Sequence, residues 1–396
     1  MSKDVKVPPK ATQKVGRVEG DLILGAGAVV EGENGEIVVG GVVRCEGDCT
    51  FRGTLKARRL VAKGRLWKGG GDVLVSGNLE ASDIDVGRRL RVGGALECEE
   101  AKVGGRLDVE KNVKAASLTV GGKAVLAGGL ASDEVRVGGS LEVAGKVAVD
   151  ELSVGGKAKI AGGEIRRGVS VGGVFVSSED LDFSDIDVGG KVKLAGGSKG
   201  GSVDVGGKLE VDGDFEFESI DAGGKVEIDG DASGGEVEVG GKFVVRGKLT
   251  LQRDIEVGGV VDVKEQLACR NLEVGGVLRS SRVLADGRVE VGGRVNAPEG
   301  VRCQSFEIGR RGKVNGPVVA EEIVVSERAS VEDIHGGSII LEERAKADNL
   351  YGKTIVLESR CEVRGKILYT ESVEIEDRVK LSQETQKVAE LPKPPL

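Results

Sequence analysis

Acidic side chains recur at a fixed interval of 17 residues through the middle of the chain, with one step of 18. Carboxylates stacked in this way could hold cations or form a ridge for lateral association. They could equally belong to a solvated surface that neighbouring bases neutralise. We name this set the acidic ladder. Its members are Asp187, Asp204, Asp221, Glu238, Glu256, Glu273, Glu290 and Glu307.

Basic side chains follow a similar interval and lie on the other side of a Gly-Gly pair from the acidic positions. Opposite charges that flank one corner can offset the repulsion within each set. We therefore predict ion pairing across the Gly-Gly corner. The bases are Arg106, Lys123, Lys157, Lys191, Lys208, Lys225, Lys242 and Arg294.

Nucleophiles and general bases are scarce in this sequence. The single histidine, His335, falls on a position that we predict to face inward, without partners for catalysis. The six cysteines form no Cys-x-x-Cys pair, and four of them occupy inward positions as small hydrophobes. These are Cys98, Cys269, Cys303 and Cys361. We expect no catalytic, cofactor-binding or metal-binding residues, and so no enzyme.

The elements that carry these residues follow from a repeat of 17 residues. Val103, Val120 and Val137 each precede Gly-Gly, and the interval continues with one interruption to Ile308. Counted from the first glycine, apolar residues occupy positions 4 and 6, 10 and 12, and 15 and 17. A spacing of two is the period of a strand with one buried face, whereas a helix would need spacings of three and four.

Three short strands per repeat, separated by polar or glycine corners, predict an all-β fold. We predict a single-stranded parallel β-helix (a β-solenoid) of triangular cross-section, right-handed, with 17-residue turns and roughly 20 turns in all. The solenoid should run over residues 15–381 between disordered tails at 1–14 and 382–396. Within it we distinguish irregular turns (15–86), Gly-Gly repeats (87–308) and turns with arginine at the corner (309–381).

The composition narrows the function. A net charge of −8 and a pI near 5.2 argue against nucleic acid as a partner. The sequence shows neither an apolar secretion signal after Met1 nor a run of 18 apolar residues. We therefore expect a cytoplasmic protein.

Two segments resemble the bactofilins, a family of polymer-forming cytoskeletal β-helix proteins. They are VGRVEGDLILGAGAVVEG at Val15–Gly32 and the segment Val314–Leu381, which contains VNGPVVAEEIVV and VRGKILYTESVEI. The resemblance implies filaments that form without nucleotide by end-to-end stacking of β-helices. It also implies possible partners among scaffold or membrane-associated proteins, reached through the tails, and membrane association as a polymer.

The unpaired strands at the two ends of a solenoid favour the same function, because such edges pair readily with other strands. We predict a homopolymer joined through Val18, Leu22, Ile23, Val363, Ile367, Val373, Ile375, Val379 and Leu381. The alternatives are a spacer or partner-binding rod that does not polymerise, and a carbohydrate-binding or adhesive β-helix.

Overall fold

The computed structural model describes residues 4–68 and 72–395. In these ranges the chain is all-β and contains no helix, and its strands pair in parallel. They form a β-solenoid of about 22 turns, which confirms the predicted fold class and exceeds the predicted turn count slightly. The chain divides into two compact units, Met1–Lys199 and Gly200–Leu396.

The first unit is built from strands that alternate between short and long. In chain order they are β1 (Val5–Val7), β2 (Thr12–Val15), β3 (Arg17–Val18), β4 (Leu22–Leu24), β5 (Ala28–Cys45), β6 (Cys49–Lys68), β7 (Asp72–Val75), β8 (Leu79–Val86), β9 (Arg89–Val92), β10 (Leu96–Val103), β11 (Arg106–Val109), β12 (Val113–Val120), β13 (Lys123–Leu126), β14 (Leu130–Val137), β15 (Ser140–Val143), β16 (Val147–Val154), β17 (Lys157–Ile160), β18 (Gly163–Val171), β19 (Val174–Ser177), β20 (Leu181–Val188) and β21 (Lys191–Ala195). Strand β22 (Ser198–Val205) contains the boundary between the units.

The second unit continues the same architecture with shorter strands in its middle part. In chain order they are β23 (Lys208–Asp212), β24 (Phe215–Ala222), β25 (Lys225–Ile228), β26 (Ala232–Val239), β27 (Lys242–Val245), β28 (Leu249–Leu251), β29 (Ile255–Val257), β30 (Val260–Val263), β31 (Gln266–Cys269), β32 (Leu272–Val274), β33 (Val277–Arg279), β34 (Arg282–Ala285), β35 (Arg288–Val291), β36 (Arg294–Asn296), β37 (Val301–Arg302), β38 (Ser305–Ile308), β39 (Lys313–Asn315), β40 (Val318–Val325), β41 (Ser330–Val331), β42 (Ile334–Leu341), β43 (Lys346–Ala347), β44 (Leu350–Leu357), β45 (Glu362–Val363), β46 (Ile367–Ile375), β47 (Lys380–Leu381) and β48 (Thr385–Lys387).

Turns such as the one formed by β11 and β12 have two strands rather than the three that the sequence predicted, whereas the turns from β27 to β38 have three. Strand β11 has four residues, and β12 has eight. Two of the predicted strands are joined in β12, where the consecutive non-buried residues Ala116 and Ser117 mark a bend. The neighbouring pairs Cys98–Ala115 and Glu100–Ser117 lie on either side of that bend. The turn therefore still has three sides, but two of them belong to one continuous strand that bends at the corner between them.

The core lies inside the coil and uses the six predicted inward positions of each turn. In the turn of residues 206–222 all six are buried, and they are Leu209, Val211, Phe215, Phe217, Ile220 and Ala222. The phenylalanines at the other positions predicted to face inward, Phe175, Phe183, Phe243 and Phe306, are also buried. Each side chain packs against its equivalents in adjacent turns, so that burial is shared along the coil.

The Gly-Gly corner is required by close approach of the backbone rather than by an unusual φ angle. A Cβ built on Gly121 would lie 2.2 Å from the carbonyl oxygen of Gly104 in the preceding turn. Gly121 is not among the residues with positive φ. Any side chain here would therefore push adjacent turns apart.

Arginine replaces glycine at the corner in the last turns, as the sequence indicated. Each of these arginines has a φ between 59° and 63°, which is the left-handed region that favours glycine. The amide of Arg328 donates to the carbonyl oxygen of Glu343 at 3.1 Å, and the amide of Arg344 donates to that of Ser359 at 3.1 Å. The left-handed residues are Arg311, Arg328, Arg344, Arg360 and Arg378.

The strands extend beyond the predicted limits at 15 and 381, so those boundaries are corrected. Strand β1 pairs with β4, where Val5 lies opposite Leu22. At the other end β48 pairs with β46, where Thr385 lies opposite Ile367. Early turns are irregular, as predicted, because the pairing of β5 with β6 shifts register twice.

Candidate assembly interface

The first strand on each side of the coil belongs to residues 4–18, which we name the N-terminal rung. It consists of β1, β2 and β3. Of the predicted interface residues, Val18 lies in this rung, whereas Leu22 and Ile23 lie one rung inside it, beneath Val5 and Lys6. The inward side chains Val7 and Val15 are buried, as is Val18. These three inward valines of the N-terminal rung are therefore shielded from solvent within a single copy.

The opposite end is more open. We name residues 367–381, which carry β46 and β47, the C-terminal rung. Five predicted interface residues lie here, and four of them are at least partly exposed: Val373, Ile375, Val379 and Leu381. Ile375 is 44% exposed and is, with Trp67, one of two large exposed hydrophobic residues in the described ranges.

The other two predicted interface residues at this end are covered. Val363 is buried and pairs with Leu381, and Ile367 is buried and pairs with Thr385. They lie beneath the end surface and support it. Within one copy each therefore has a strand of its own chain above it, and their part in a joint stays a prediction.

Strand β48 covers only one side of the C-terminal rung. Gln386 pairs with Leu368 and Lys387 with Tyr369, and the amide of Val388 donates to the Tyr369 carbonyl oxygen at 2.9 Å. The sides formed by residues 372–375 and 380–381 have no strand above them among the described residues. The end is half capped.

Sequence reasoning missed β1, β2 and β48 because each is too short to show a repeat by itself. A signal exists for the first two. Val5 precedes Leu22, and Thr12 precedes Val29, by the period of 17 residues. Strand β48 offers no apolar signal, because its inward positions carry Thr385 and Lys387 in place of aliphatic residues.

The members of the acidic ladder lie in register from Asp221 onward. Asp221 pairs in register with Glu238, and the series continues through Glu256, Glu273, Glu290 and Glu307. Asp187 and Asp204 lie at the equivalent exposed position of their own turns. The ladder therefore places like charges directly opposite one another in adjacent strands, which is destabilising in itself.

The last two members of the ladder are neutralised by one arginine. Arg288 forms ion pairs with Glu290 at 2.6 Å and with Glu307 at 2.7 Å. Within the described residues no ion pair involves Glu238, Glu256 or Glu273. These carboxylates stand exposed to solvent.

Lys208 and Lys225 pair with acids two residues further along their own strand rather than with the acidic ladder across the Gly-Gly corner. Lys208 pairs with Glu210, and Lys225 lies 2.7 Å from Glu227. Lys208 also reaches Glu227 in the next turn at 3.4 Å. A side chain two residues away lies on the same outward face of the strand, whereas the acidic ladder lies around the corner.

Glu227 is the centre of the densest charge cluster in the second unit. Besides the two lysines, Arg246 approaches it at 3.2 Å. The hydrogen bond from Lys225, with further help from Lys208 and against partial burial, lowers the pKa of Glu227 to about 2. The carboxylate remains charged at any ordinary pH and links three successive turns.

A second set of side chains, which sequence reasoning missed, joins turns at a different corner. These Asn and Asp residues precede the inward pair at positions 10 and 12, and each accepts a hydrogen bond from the amide 17 residues later. Asn112 accepts from Gly129 at 3.0 Å, and Asp214 accepts from Asp231 at 2.8 Å. The further members at this corner are Asp48, Asn78, Asp231 and Asn349, and Asp254 and Asn271 make the same bond at the corner before the last inward pair. The signal was present at position 9 of the repeat.

His335 does not face inward, and that prediction is corrected. Ile334 occupies the buried position, while His335 points outward and stacks on Tyr351 with ring centroids 4.4 Å apart. Partial burial lowers the pKa of His335. The pair lines a cavity of about 650 Å³ together with Gly336 and the segment 389–394.

The cysteines lie where a thiolate is disfavoured. Cys269, Cys303 and Cys361 are buried, as predicted, and Cys98 is half buried. Burial raises the pKa of Cys98, Cys269 and Cys303 to about 12 and that of Cys361 to about 11. These thiols are held in the unreactive protonated form.

Residues 4–68 and 72–395 contain no group of three or more side chains that could hold a metal ion. The same ranges contain no helix that is long and apolar enough to cross a membrane. Comparisons with protein-family models, with curated protein sequences and with solved structures gave no match.

Proposed function

We propose that this protein is a structural component that assembles with copies of itself through its terminal rungs, without nucleotide. The observation that carries the proposal is the C-terminal rung. Its strand edges at residues 372–375 and 380–381 are uncovered, and Ile375 is 44% exposed there. Exposed strand edges with an apolar side chain are templates for further strands.

A polymer-forming role of the kind that bactofilins have is part of this proposal. Its support is the solenoid fold together with the resemblance of residues 15–32 and 314–381 to that family. We further propose that the protein acts in the cytoplasm, and that partners among scaffold or membrane-associated proteins reach it through its terminal segments. A solenoid that serves only as a spacer is the competing function, and it would leave the terminal rungs solvated.

The test is electron microscopy and sedimentation of the purified protein over a range of concentrations and salt. We expect filaments or a concentration-dependent series of oligomers. Ile375→Asp should abolish them, because a carboxylate in a joint would lose hydration without gaining a partner. Trp67→Asp is the matched control, since Trp67 is 47% exposed but belongs to β6 rather than to a terminal rung.

A strictly monomeric wild-type protein at all concentrations would refute self-assembly and favour the spacer. If Trp67→Asp disrupts assembly and Ile375→Asp does not, the contact is lateral and the terminal rungs are not the joint. Binding in a glycan array would favour the carbohydrate-binding alternative.

A further inference from the structure

The two terminal rungs carry opposite charge. The N-terminal rung has four bases and one acid, namely Lys6, Lys10, Lys14, Arg17 and Asp4. The C-terminal rung has four acids and two bases, namely Glu371, Glu374, Glu376, Asp377, Arg378 and Lys380. All of these side chains are exposed. Opposite ends therefore attract one another, and like ends repel.

The rungs also match in strand length and order. Three residues of the C-terminal rung, 367–369, pair with a further strand, and they are followed by four at 372–375 and two at 380–381. The N-terminal rung offers three residues in β1, four in β2 and two in β3, in the same order. One stack therefore continues the solenoid from one copy into the next.

In that register two pairs of apolar side chains meet on the inward face, while Gln13 would lie over Val373. Val15 of a second copy would lie over Ile375, and Val18 over Leu381. The exposed apolar surface of the C-terminal rung would thereby be buried under the shielded valines of the N-terminal rung.

On the outward face of the same register Lys14 would lie over Glu374. Lys14 already pairs in register with Glu31, which binds Arg52 at 2.8 Å, so the joint would extend a column of alternating charge.

One strand of the same chain stands in the way. Strand β48 pairs with residues 367–369, which is where β1 of the second copy would lie. It presents Thr385 and Lys387 at the positions where β1 presents Val5 and Val7. The residues that follow β48, 389–394, turn back along the coil and line the cavity beside His335 and Tyr351.

We propose that the N-terminal rung of a second copy docks on the C-terminal rung in place of β48, so that the segment 382–395 is a displaceable cap on a head-to-tail joint. This inference rests on the proposed self-assembly and specifies its polarity and its control. The partner is another copy of this chain.

The experiment compares the concentration at half-assembly, measured by sedimentation, for four proteins. They are the wild type, Gln386→Pro, Gln386→Ala and a chain that ends at Leu381. Proline inside β48 removes a ladder donor and unpairs the strand, whereas alanine preserves it. We expect Gln386→Pro and the shortened chain to assemble at about tenfold lower concentration. A tenfold change corresponds to about 1.4 kcal/mol, which is the advantage gained when β48 no longer competes with the second copy for residues 367–369. Gln386→Ala should match the wild type.

Each other outcome overturns the cap. Equal assembly of all four proteins refutes displacement of β48 while leaving self-assembly intact. Weaker assembly of Gln386→Pro and the shortened chain, with unchanged circular dichroism, would make β48 part of the joint. Absence of assembly in all four proteins would refute both the cap and the proposed function.

Discussion

Asn112 accepts a hydrogen bond through its Oδ1 from the amide of Gly129, the residue one full turn later, at 3.0 Å. The side chain thereby satisfies a backbone donor at a corner where the strand ladder is interrupted. In the same way the Asp214 carboxylate accepts from the amide of Asp231, and the Asp231 carboxylate accepts from the amide of Lys248. This relationship fixes the height of each turn relative to the next.

Asn112→Ala should lower the free energy of unfolding by about 1 kcal/mol, since it leaves the Gly129 amide without its acceptor. Asn112→Asp is the matched control, because Asp performs this role at Asp214 and should preserve most of the stability. Urea unfolding followed by far-ultraviolet circular dichroism measures both. Equal loss in the two variants would show that packing, and not the hydrogen bond, holds the corner.

The arginines of the last turns adopt a backbone conformation that favours glycine. Arg344 has a φ of 63° and forms an exposed ion pair with Glu343 at 3.5 Å. Arg344→Gly relieves backbone strain of about 1 kcal/mol and loses an ion pair of smaller value, so stability should stay within about 0.5 kcal/mol. Arg344→Val should be less stable than Arg344→Gly by about 1–2 kcal/mol in urea unfolding. Equal stability of the two variants would mean that the left-handed conformation imposes no cost.

Glu256 lies in register between Glu238 and Glu273. Glu256→Lys converts two contacts between like charges into two between opposite charges. We expect the free energy of unfolding to rise by about 0.5 kcal/mol at low ionic strength. The gain should vanish near 1 M salt, because salt then screens the interactions between exposed charges. Glu256→Gln should give about half of the gain. If divalent cations stabilise the wild type but not Glu256→Lys, the acidic ladder binds cations instead of simply repelling.

Glu227 makes stability depend on pH. Its pKa in the folded protein, about 2, is below the ordinary 4.5, so its contribution is complete above pH 4.5 and is lost as pH falls towards 2. Because its partners are exposed, the contribution should be about 1 kcal/mol. The difference in unfolding free energy between wild type and Glu227→Gln should shrink over that window. Glu256→Gln removes an acid that has like-charged neighbours and no ion pair, so its difference from wild type should have the opposite sign. An unchanged difference for Glu227→Gln would remove Glu227 as the cause.

The sequence predicted the coil and its core because two signals agreed. A strand period of two placed residues such as Leu209 and Val211 inward, and Gly-Gly fixed the turn length by close contact. It did not predict that in some turns one corner leaves a strand unbroken, as in β12. In β12 that corner has no glycine or proline, and its bend follows from closing the coil rather than from a local preference.

The charges and the ends were harder to predict for a different reason. Lysine and glutamate side chains are long, so sequence position does not determine which partner Lys208 selects. Lys208 pairs with Glu210 because both side chains project from the same outward face of one strand, whereas the acidic ladder projects from a face around the corner. At the ends a strand of three residues, such as β1 or β48, is held by hydrogen bonds to the edge of the neighbouring strand. Its own composition carries little information.

Reversal of charge tests the polarity of the joint. In a head-to-tail joint Lys14→Glu sets a second carboxylate against Glu374, and Glu374→Lys sets two lysines together. Each variant should therefore assemble several-fold more weakly than wild type at low salt. The double variant should recover, and so should an equal mixture of the two single variants, because each end then finds an opposite charge. A tail-to-tail joint instead predicts that Lys14→Glu has no effect and that the double variant behaves like Glu374→Lys. Sedimentation at low salt and at 1 M salt separates these outcomes, since screening should remove the differences only if they are electrostatic.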